Sequence, residues 1–271
     1  MPVPVFDVRE VTFRYNKVVA LDSMSLAIAP GQRVALLGAN GSGKSTLLRM
    51  LDGLAFAEKG TITFCGEPLT EERLQTPDFA YPFRRRVGFV FQNPDVQLFS
   101  PTVFDEVAFG PLQLEWPREK VRAKVDEMLE VMKIAHLKDR SPHHLSTGEK
   151  KRVTLASVLV LDPEVLLLDE PTAALDPRSA SQMVDFLVGL RGGTKTVITS
   201  THDLAILEDI ADQCFVFHTG RLVAGGTPTE ILGQTALLEQ TNLVHIHRHV
   251  HADGETHSHP HVHPHVHPHK H

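Results

Sequence analysis

The chain contains little cysteine, no excess of positive charge and no long apolar run, and each shortage excludes a class of protein. Cys65 and Cys214 are the two cysteines among 271 residues. They are too few for a disulfide framework and lack a CxxC spacing, which is typical of a protein in a reducing cytosol. The formal net charge of −6 and the isoelectric point of about 6.3 predict no basic surface. A nucleic-acid partner is therefore not expected.

A membrane-spanning helix needs roughly 18 or more consecutive apolar residues. The longest apolar stretches here are of strand length, such as Val165 to Leu168. The N-terminal sequence MPVPVFDVRE has no basic region followed by an apolar segment, so no signal peptide is predicted. If the protein acts on a membrane, a separate subunit must span it. The hydrophobic content of 42% is enough for one α/β domain, and we expect that domain to carry a tail.

The segment GANGSGKST, from Gly38 to Thr46, matches the pattern G-x-x-x-x-G-K-[ST]. A short apolar strand precedes it and a helical pattern, Ser45 to Leu51, follows it, so backbone N–H groups and a helix N-terminus would face a bound phosphate. Lys44 would reach the outer phosphates and Ser45 would bind Mg²⁺. The predicted nucleotide contacts are Gly38, Asn40, Gly41, Ser42, Gly43, Lys44, Ser45 and Thr46. The alternative is a glycine turn that contains an accidental lysine.

A second polar site is predicted where the apolar run VLLL ends in Asp169 and Glu170. Open α/β sheets bind ligands at the carboxyl ends of their strands. A carboxylate there can hold Mg²⁺, which gives Asp169 a metal-binding role, and Glu170 is placed to polarise an attacking water as general base. An acidic pair in a solvated turn is the alternative, but the phosphate loop upstream favours the functional interpretation.

Strand-like runs alternate with helical patterns, which predicts a mostly parallel sheet covered by helices. These runs are Val34 to Leu37, Thr61 to Phe64, Val87 to Phe91, Val165 to Leu168, Thr196 to Thr199 and Cys214 to Phe217. The segment Val5 to Ala29 favours an antiparallel β subdomain, and helix signals between about 94 and 161 favour an inserted helical subdomain, with a helix over Arg118 to Ala135. The fold class is therefore α/β, with a phosphate-loop core over residues 1–227. Residues 228–244 are predicted to form a helix, Thr229 to Gln240, and a linker.

Five motifs in order resemble the ATP-binding cassette (ABC) family over roughly residues 3 to 227. They are the phosphate loop, FQNP with Gln92, LSTGEKKR from Leu145, LLLDEPTAALD and STHD with His202. The resemblance implies ATP and Mg²⁺ as ligands and two cassettes packed head to tail, either two copies or a copy and a paralogue. It implies that Tyr15 stacks on adenine and that Gln92 touches Mg²⁺ and contacts a membrane subunit. It further implies that Ser146 and Gly148 contact the γ-phosphate held by the opposite cassette. Asp176 would shape the shared site, and His202 would sense the γ-phosphate.

Single residues of this set have plainer interpretations. Tyr15 could be ordinary strand packing, and His202 could be a core histidine with a satisfied hydrogen bond. Thr147 and Glu149 depart from the family's signature, where glycine and glutamine are commoner. If the backbone at Thr147 needed a positive φ, threonine would be strained there. We expect instead an ordinary helix start, where Thr147 is harmless and its hydroxyl caps the helix.

The segment Phe91 to Pro111 resembles the ATPase subunits of energy-coupling-factor transporters, which import vitamins and transition metals. Its apolar side chains are expected to divide between the core and a groove for a helix of the membrane subunit. The apolar group comprises Val96, Leu98, Phe99, Val103, Phe104, Val107 and Phe109. The resemblance places the protein peripherally at the cytoplasmic face of the cell membrane.

The last segment, 245–271, contains twelve histidines and is predicted to be a disordered metal-binding tail. Imidazole suits nickel, cobalt, copper and zinc, so the tail alone cannot name its metal. Its predicted ligands are His257, His259, His261, His263, His265, His267 and His269. Together with the energy-coupling-factor resemblance, the tail indicates an ATPase that powers nickel or cobalt import.

Several alternatives stay open. The tail could be a purification tag or a dispensable extension of a transporter for a vitamin or other micronutrient. A soluble ATPase acting on DNA or ribosomes is disfavoured because no coiled-coil insertion, second cassette or basic face is present in the sequence. A metal storage protein or metallochaperone with a vestigial cassette is disfavoured because Lys44, Asp169, Glu170 and His202 are all present.

Overall fold

A computed structural model of the protein describes residues 3–250 and 256–261. Its strands are β1 (Phe6–Tyr15), β2 (Val18–Ile28), β3 (Arg33–Leu37), β4 (Lys59–Phe64), β5 (Glu67–Pro68), β6 (Val87–Val90), β7 (Val165–Asp169), β8 (Thr196–Thr201), β9 (Gln213–His218), β10 (Arg221–Gly226), β11 (His245–Val250) and β12 (Thr256–His261). Its α-helices are α1 (Lys44–Leu51), α2 (Glu71–Leu74), α3 (Pro77–Arg86), α4 (Val103–Gln113), α5 (Arg118–Val131), α6 (Thr147–Leu159), α7 (Pro177–Gly189), α8 (Leu207–Ile210), α9 (Pro228–Leu232) and α10 (Thr235–Gln240).

The main sheet has the strand order β10-β9-β3-β8-β7-β6, in which every neighbouring pair except β10 and β9 is parallel. Its central strands are buried on both faces, because helices such as α5 and α6 cover one face and α1 and the antiparallel strands β1 and β2 cover the other. In β7, Leu166 and Leu168 contribute to one hydrophobic cluster, whereas Val165 and Leu167 contribute to the other. The carboxyl ends of β3, β7 and β8 therefore open at the same edge of the sheet.

The N-terminal region forms a second, antiparallel sheet with the order β2-β1-β4-β5. The strand predicted at Thr61 to Phe64 belongs to this sheet, so the sequence alternation of strands and helices placed it with the wrong neighbours. Phe6 and Phe64 pair across it with ring centroids 5.3 Å apart. The predicted fold class is confirmed: a mostly parallel α/β core joined to an antiparallel β subdomain and to helices α4, α5 and α6.

Helix α5 is shorter than predicted. It ends at Val131, and Lys133 adopts a left-handed backbone with φ 57°, which a continuing helix cannot accommodate. The apolar positions that predicted a helix up to Ala135 are still buried, because a short 3₁₀ turn, Ala135–Leu137, carries Leu137 into the same cluster. Hydrophobic period alone cannot distinguish these two arrangements.

The predicted helix over Thr229 to Gln240 is divided into α9 and α10. Thr227 and Glu230 form a capping box at the start of α9, and Gly233 caps its end. Gln234 has the non-helical angles φ −95° and ψ 66°, so the hydrogen-bond ladder is interrupted there. Leu238 and Val244 are buried in the main cluster, which means that the chain belongs to the core as far as residue 244.

The predicted tail departs from expectation in two segments. Strands β11 and β12 pair antiparallel, with the register His245↔His261, where a disordered chain was expected. Histidine alternates with other residues in both segments, and this two-residue period is that of a strand. Among residues 3–250 and 256–261, no helix combines the length and apolarity needed to cross a bilayer.

Candidate active site

The glycine-rich loop lies between the end of β3 and the start of α1, as predicted. Gly43 caps α1 in a left-handed conformation with φ 108°, and a Cβ at this position would lie 2.7 Å from the Ala20 carbonyl oxygen. A side chain is therefore excluded by both the backbone angle and the close approach of β2. The loop leads directly into the N-terminus of α1, and a glycine loop followed by a helix N-terminus is the arrangement that binds anions.

Lys44 is buried at the base of this loop. Its Nζ donates hydrogen bonds to the carbonyl oxygens of Gly38, at 2.6 Å, and Ala39, at 3.3 Å. It also lies 3.5 Å from Glu170 Oε1, and both side chains are 5% exposed. Burial lowers the pKa of Lys44 from its ordinary value, and the negative charge of Glu170 opposes that shift. A buried cationic side chain therefore lies beside the loop and next to a carboxylate.

Ser45 and Asp169 meet across the edge of the sheet. Ser45 Oγ donates a hydrogen bond to Asp169 Oδ1 at 2.9 Å, and Ser200 Oγ donates to the same oxygen at 2.6 Å. This contact exists because α1 follows β3 and Asp169 ends β7, while β8 lies between the two strands. Hydroxyl and carboxylate oxygens are the hard ligands that suit Mg²⁺.

The buried carboxylate of Glu170 contacts the ring of His202. The Nδ1 atom of His202 lies 3.1 Å from Glu170 Oε1 and 3.0 Å from Oε2. The backbone of Glu170 is left-handed, with φ 46°, which is uncommon for a residue with a side chain. Its N–H donates to Ser200 Oγ at 2.9 Å, so strand β8 fixes the position of this residue.

The loop opens into a cleft of about 430 Å³. Among the residues that line it are Tyr15, Asn40, Gly41, Ser42, Gly43, Lys44, Ser45, Thr46, Gln92 and Glu170. Tyr15 is 43% exposed at the rim, and its hydroxyl accepts a hydrogen bond from Arg49 Nη1 at 3.2 Å. A single cleft is therefore lined by most of the predicted phosphate loop, by the predicted metal ligands Ser45 and Gln92, by Tyr15 and by Glu170 of the acidic pair.

Ser146, Gly148 and Asp176 form a separate cluster at the N-termini of α6 and α7. A Cβ on Gly148 would lie 2.6 Å from Ser179 Oγ, and the Ser179 N–H donates to Asp176 Oδ1 at 3.0 Å. Hydrogen bonds from Ser179, first from its side chain and then from its backbone N–H, lower the pKa of Asp176. None of the three predicted residues is among those that line the cleft around Lys44 in the described part of the chain.

The start of α6 has an ordinary helical backbone at Thr147. Thr147 is the first helical residue and is not among the residues with positive φ, so threonine causes no strain there. The cap, however, is Ser146 and not the Thr147 hydroxyl. Ser146 Oγ accepts from the Glu149 N–H, while a carboxylate oxygen of Glu149 accepts from Ser146 N, at 2.8 Å, and from Ser146 Oγ, at 2.7 Å. These hydrogen bonds hold the pKa of Glu149 below its ordinary value.

Two polar residues at this edge of the sheet were missed by sequence reasoning. Ser200 stands opposite Asp169 in the parallel register of β7 and β8, so the strand alignment could have revealed it. Lys151 is 3% exposed, and burial lowers its pKa to about 8. The negative charges of Glu170 and Asp169 act in the opposite direction and raise it. The available signal was its position four residues before Leu155, on the buried face of α6.

The predicted transition-metal ligands are far along the chain from this site. His257, His259 and His261 belong to strand β12. His263, His265, His267 and His269 lie outside the described residues.

Known proteins resemble the chain over most of its length. The ABC transporter family model matches residues 21–173. The nickel import ATP-binding protein NikO of Rhodobacter capsulatus is 53% identical over 89% of this chain and 96% of its own length. An energy-coupling factor transporter ATP-binding protein of Methanothermobacter thermautotrophicus is 40% identical over 88% of this chain and 76% of its own. The structure of cbiO1 from Clostridium perfringens, part of the ABC transporter complex cbiONQ, superposes with a TM-score of 0.74 at 37% identity, covering 89% of this chain and 95% of that one.

A family match to more than half of the chain and a relative at 53% identity agree with the phosphate loop, the acidic pair and the cleft between them. The resemblance to ABC transporters and to energy-coupling-factor ATPases is thereby confirmed. The chain belongs to the ABC transporter family, as a subunit that binds ATP and couples its hydrolysis to transport.

Proposed function

We propose that this chain powers the import of nickel or cobalt through separate membrane subunits, at the cytoplasmic face of the membrane. The observation that carries the proposal is the 53% identity to a nickel import ATP-binding protein, which spans 96% of that relative. The His-rich sequence after residue 244 agrees with a transition metal as the cargo.

At the nucleotide, we assign the triphosphate to the loop from Gly38 to Thr46. Lys44, held 3.5 Å from Glu170, is free to exchange carbonyl contacts for phosphate oxygens. Tyr15 at the rim offers a flat aromatic surface to the base. The remaining proposed contacts are Asn40, Gly41, Ser42, Gly43, Ser45 and Thr46 through the backbone and hydroxyls of the loop.

The oxygen atoms beside the loop fit Mg²⁺. The Ser45 hydroxyl and the Asp169 carboxylate are 2.9 Å apart, and the amide of Gln92 lines the same cleft. When bound, Mg²⁺ neutralises the charge that develops on the transferred phosphoryl group. Ser45, Gln92 and Asp169 are the residues that would hold it.

Glu170 is proposed as the general base and His202 as the residue that responds to the γ-phosphate. The Glu170 carboxylate is almost fully buried, so its charge is poorly screened and can orient a water strongly. His202 is 56% exposed above it and can donate a hydrogen bond outward while its Nδ1 is held by Glu170. Gln92 completes the proposed catalytic set.

A second cassette, either another copy or a paralogue, is proposed to complete each site. Ser146, Gly148 and Asp176 lie at helix N-termini, where the backbone favours anions, but they do not line the cleft of their own chain. Head-to-tail packing would present them to the nucleotide of the opposite cassette. Two sites would then form together.

The membrane subunit is proposed to dock beside Gln92. Phe99 and Phe109 pack edge to face with centroids 4.8 Å apart, yet they are 61% and 42% exposed. Leu98, Val103 and Val107 of the same segment are buried, so the segment divides between core and surface as expected. An apolar helix face of a membrane protein is the partner that such a surface fits.

A second candidate cargo is a vitamin or other micronutrient. The 40% identity to an energy-coupling factor transporter ATP-binding protein favours it, since that name specifies no metal. In this case the histidines after residue 244 would have no role in transport.

Uptake measurements separate the two cargoes. Cells that lack other nickel and cobalt importers would express the chain with its membrane subunits, and accumulation of ⁶³Ni and ⁵⁷Co would be followed at limiting metal. We expect uptake with the wild-type chain and none with Glu170→Gln. Metal accumulation with the wild-type chain no greater than in cells that lack the chain would overturn the proposal and leave the micronutrient as the candidate.

A further inference from the structure

Lys151 is a buried cation, and in the described part of the chain the hydrogen bonds of its Nζ all go to one backbone turn. Its Nζ donates to the carbonyl oxygens of Glu170 at 3.0 Å, Pro171 at 2.9 Å and Ala173 at 2.8 Å. An ammonium group has three N–H donors, and here three carbonyls accept from it. These hydrogen bonds offset part of the free energy that burial of the charge costs.

The turn that Lys151 holds is strained. Glu170 and Ala174 both have left-handed backbones, with φ 46° and 59°. Such conformations persist only when surrounding contacts fix them. One internal hydrogen bond, from the Ala173 N–H to the Glu170 carbonyl oxygen at 3.1 Å, closes the turn, and Lys151 supplies three more contacts from outside it.

The same helix joins this turn to the other candidate cluster. Lys151 lies on the second turn of α6, and Ser146 caps the N-terminus of that helix. A single helix with a regular hydrogen-bond ladder therefore connects the Ser146 cap with the side chain that holds the Glu170 turn. The turn continues to Asp176, which caps α7.

We propose that Lys151 is a positioning residue, which fixes the Glu170 carboxylate for hydrolysis and links it to the Ser146 end of α6. The inference rests on the proposed role of Glu170 as the base. Lys151 does not touch the nucleotide cleft, so it acts on the rate of the chemical step and not on the binding of ATP.

The test compares Lys151→Met with the wild type in the full-length chain. Methionine fills a similar volume without a donor. We expect kcat, counted per ATP-binding site, to fall about 10- to 100-fold, since small misplacements of a catalytic group have effects of that size. The Kd for a fluorescent ATP analogue should change by less than about threefold, because the loop around Lys44 is untouched.

Lys195→Met is the matched control. Lys195 Nζ also donates to a carbonyl oxygen, that of Pro163, at 2.7 Å, and it pairs with Asp162 away from the cleft. Its removal should leave kcat unchanged. Lys151→Arg keeps the charge and several donors and should recover part of the lost kcat.

A purely structural role predicts a different result. In that case Lys151→Met would lower the melting temperature and the number of ATP-binding sites while kcat per site stayed at the wild-type value, and this would overturn the inference. If Lys151→Met does not fold, Lys151→Gln, which keeps one amide donor, is measured in the same way, and an unchanged kcat per site has the same meaning.

The failure of this inference is distinguishable from the failure of the proposed function. Loss of turnover in Glu170→Gln together with normal turnover in Lys151→Met removes Lys151 and leaves the base in place. Normal turnover in Glu170→Gln removes the base and, with it, the group that Lys151 was proposed to position.

Discussion

The Nδ1 atom of His202 lies 3.0 Å from Glu170 Oε2 and faces both carboxylate oxygens of that residue. The pair joins an exposed ring to a buried carboxylate, with side chains 56% and 5% exposed. A histidine in this position can report an event in the cleft to a group that solvent does not reach.

Glu170→Gln should leave ATP binding intact and abolish turnover. Glutamine keeps the size and the hydrogen bond to His202 but cannot accept a proton from water. The expected loss is at least about 100-fold in kcat with Kd for ATP within about threefold of wild type. Phosphate release and equilibrium nucleotide binding measure the two quantities. Near-normal ATPase activity in this variant would remove Glu170 from the role of base.

His202→Ala should lower kcat by about 10- to 100-fold, with a smaller effect on ATP binding, because the ring contributes mainly once the γ-phosphate is in place. His136→Ala, at an exposed histidine of the 3₁₀ turn Ala135–Leu137, is the control and should behave like the wild type. Steady-state kinetics at several ATP concentrations separate kcat from KM. Equal effects of the two variants would mean that His202 has no specific role.

Glu149→Gln should tighten the ATP-dependent association of two cassettes. The Glu149 carboxylate holds the Ser146 hydroxyl at 2.7 Å, and its negative charge would oppose the approach of a phosphate to Ser146. Glutamine keeps an acceptor for the capping box and removes the charge, so the apparent KM for ATP should fall about two- to fivefold at low salt.

Glu230→Gln provides the control for this change. Glu230 forms the same capping box with Thr227, where its carboxylate accepts from the Thr227 N–H at 2.7 Å, far from the cluster at Ser146. Any general cost of weakening a capping box appears in both variants, whereas the change in KM belongs to Glu149 alone. A higher KM for ATP in Glu149→Gln would show that the carboxylate stabilises the N-terminus of α6 and does not repel a phosphate near Ser146.

The parts of this site that sequence could predict are those with local patterns. The phosphate loop follows from residue types within Gly38 to Thr46, and the place of Asp169 follows from the apolar run before it. The three contacts of Lys151 join residues about twenty positions apart through a strained turn, and no local pattern specifies them. The break at Gly233 and Gln234 was missed for a related reason: both neighbouring segments bury their apolar residues in the same cluster, so the period looks continuous.

Asp52 should make the protein less stable as pH rises. It caps the end of α1 and lines a cavity with Arg84 and Phe89, and burial raises its pKa to about 7 despite the charge of Arg84. Between about pH 4 and 7 the unfolded chain has the carboxyl ionised while the folded protein keeps it protonated, so the folded state loses stability with increasing pH.

Asp52→Asn removes this dependence. Relative to the wild type, the variant should gain roughly 1–3 kcal/mol in the free energy of unfolding on going from pH 5 to pH 8. Urea unfolding at the two pH values measures the difference, with the exposed Asp139→Asn as the control. The same gain at both pH values would show that the effect comes from packing and not from the charge.

Removal of the chain after Val244 should separate metal retention from ATP hydrolysis. Val244 is 5% exposed in the main cluster, so this cut preserves the core, whereas a cut after Asn242 would remove a buried side chain. We expect ATPase activity equal to the wild type and a loss of most bound nickel at equilibrium, because the twelve histidines from 245 to 271 are removed.

In the full-length chain, nickel retention should weaken as pH falls through about 6.5, since imidazole binds metal only when neutral. A full-length variant with those histidines replaced by asparagine should match the truncation in metal binding. If instead both variants retained nickel like the wild type, the metal would have to bind within residues 1–244, and the tail would have no part in holding it.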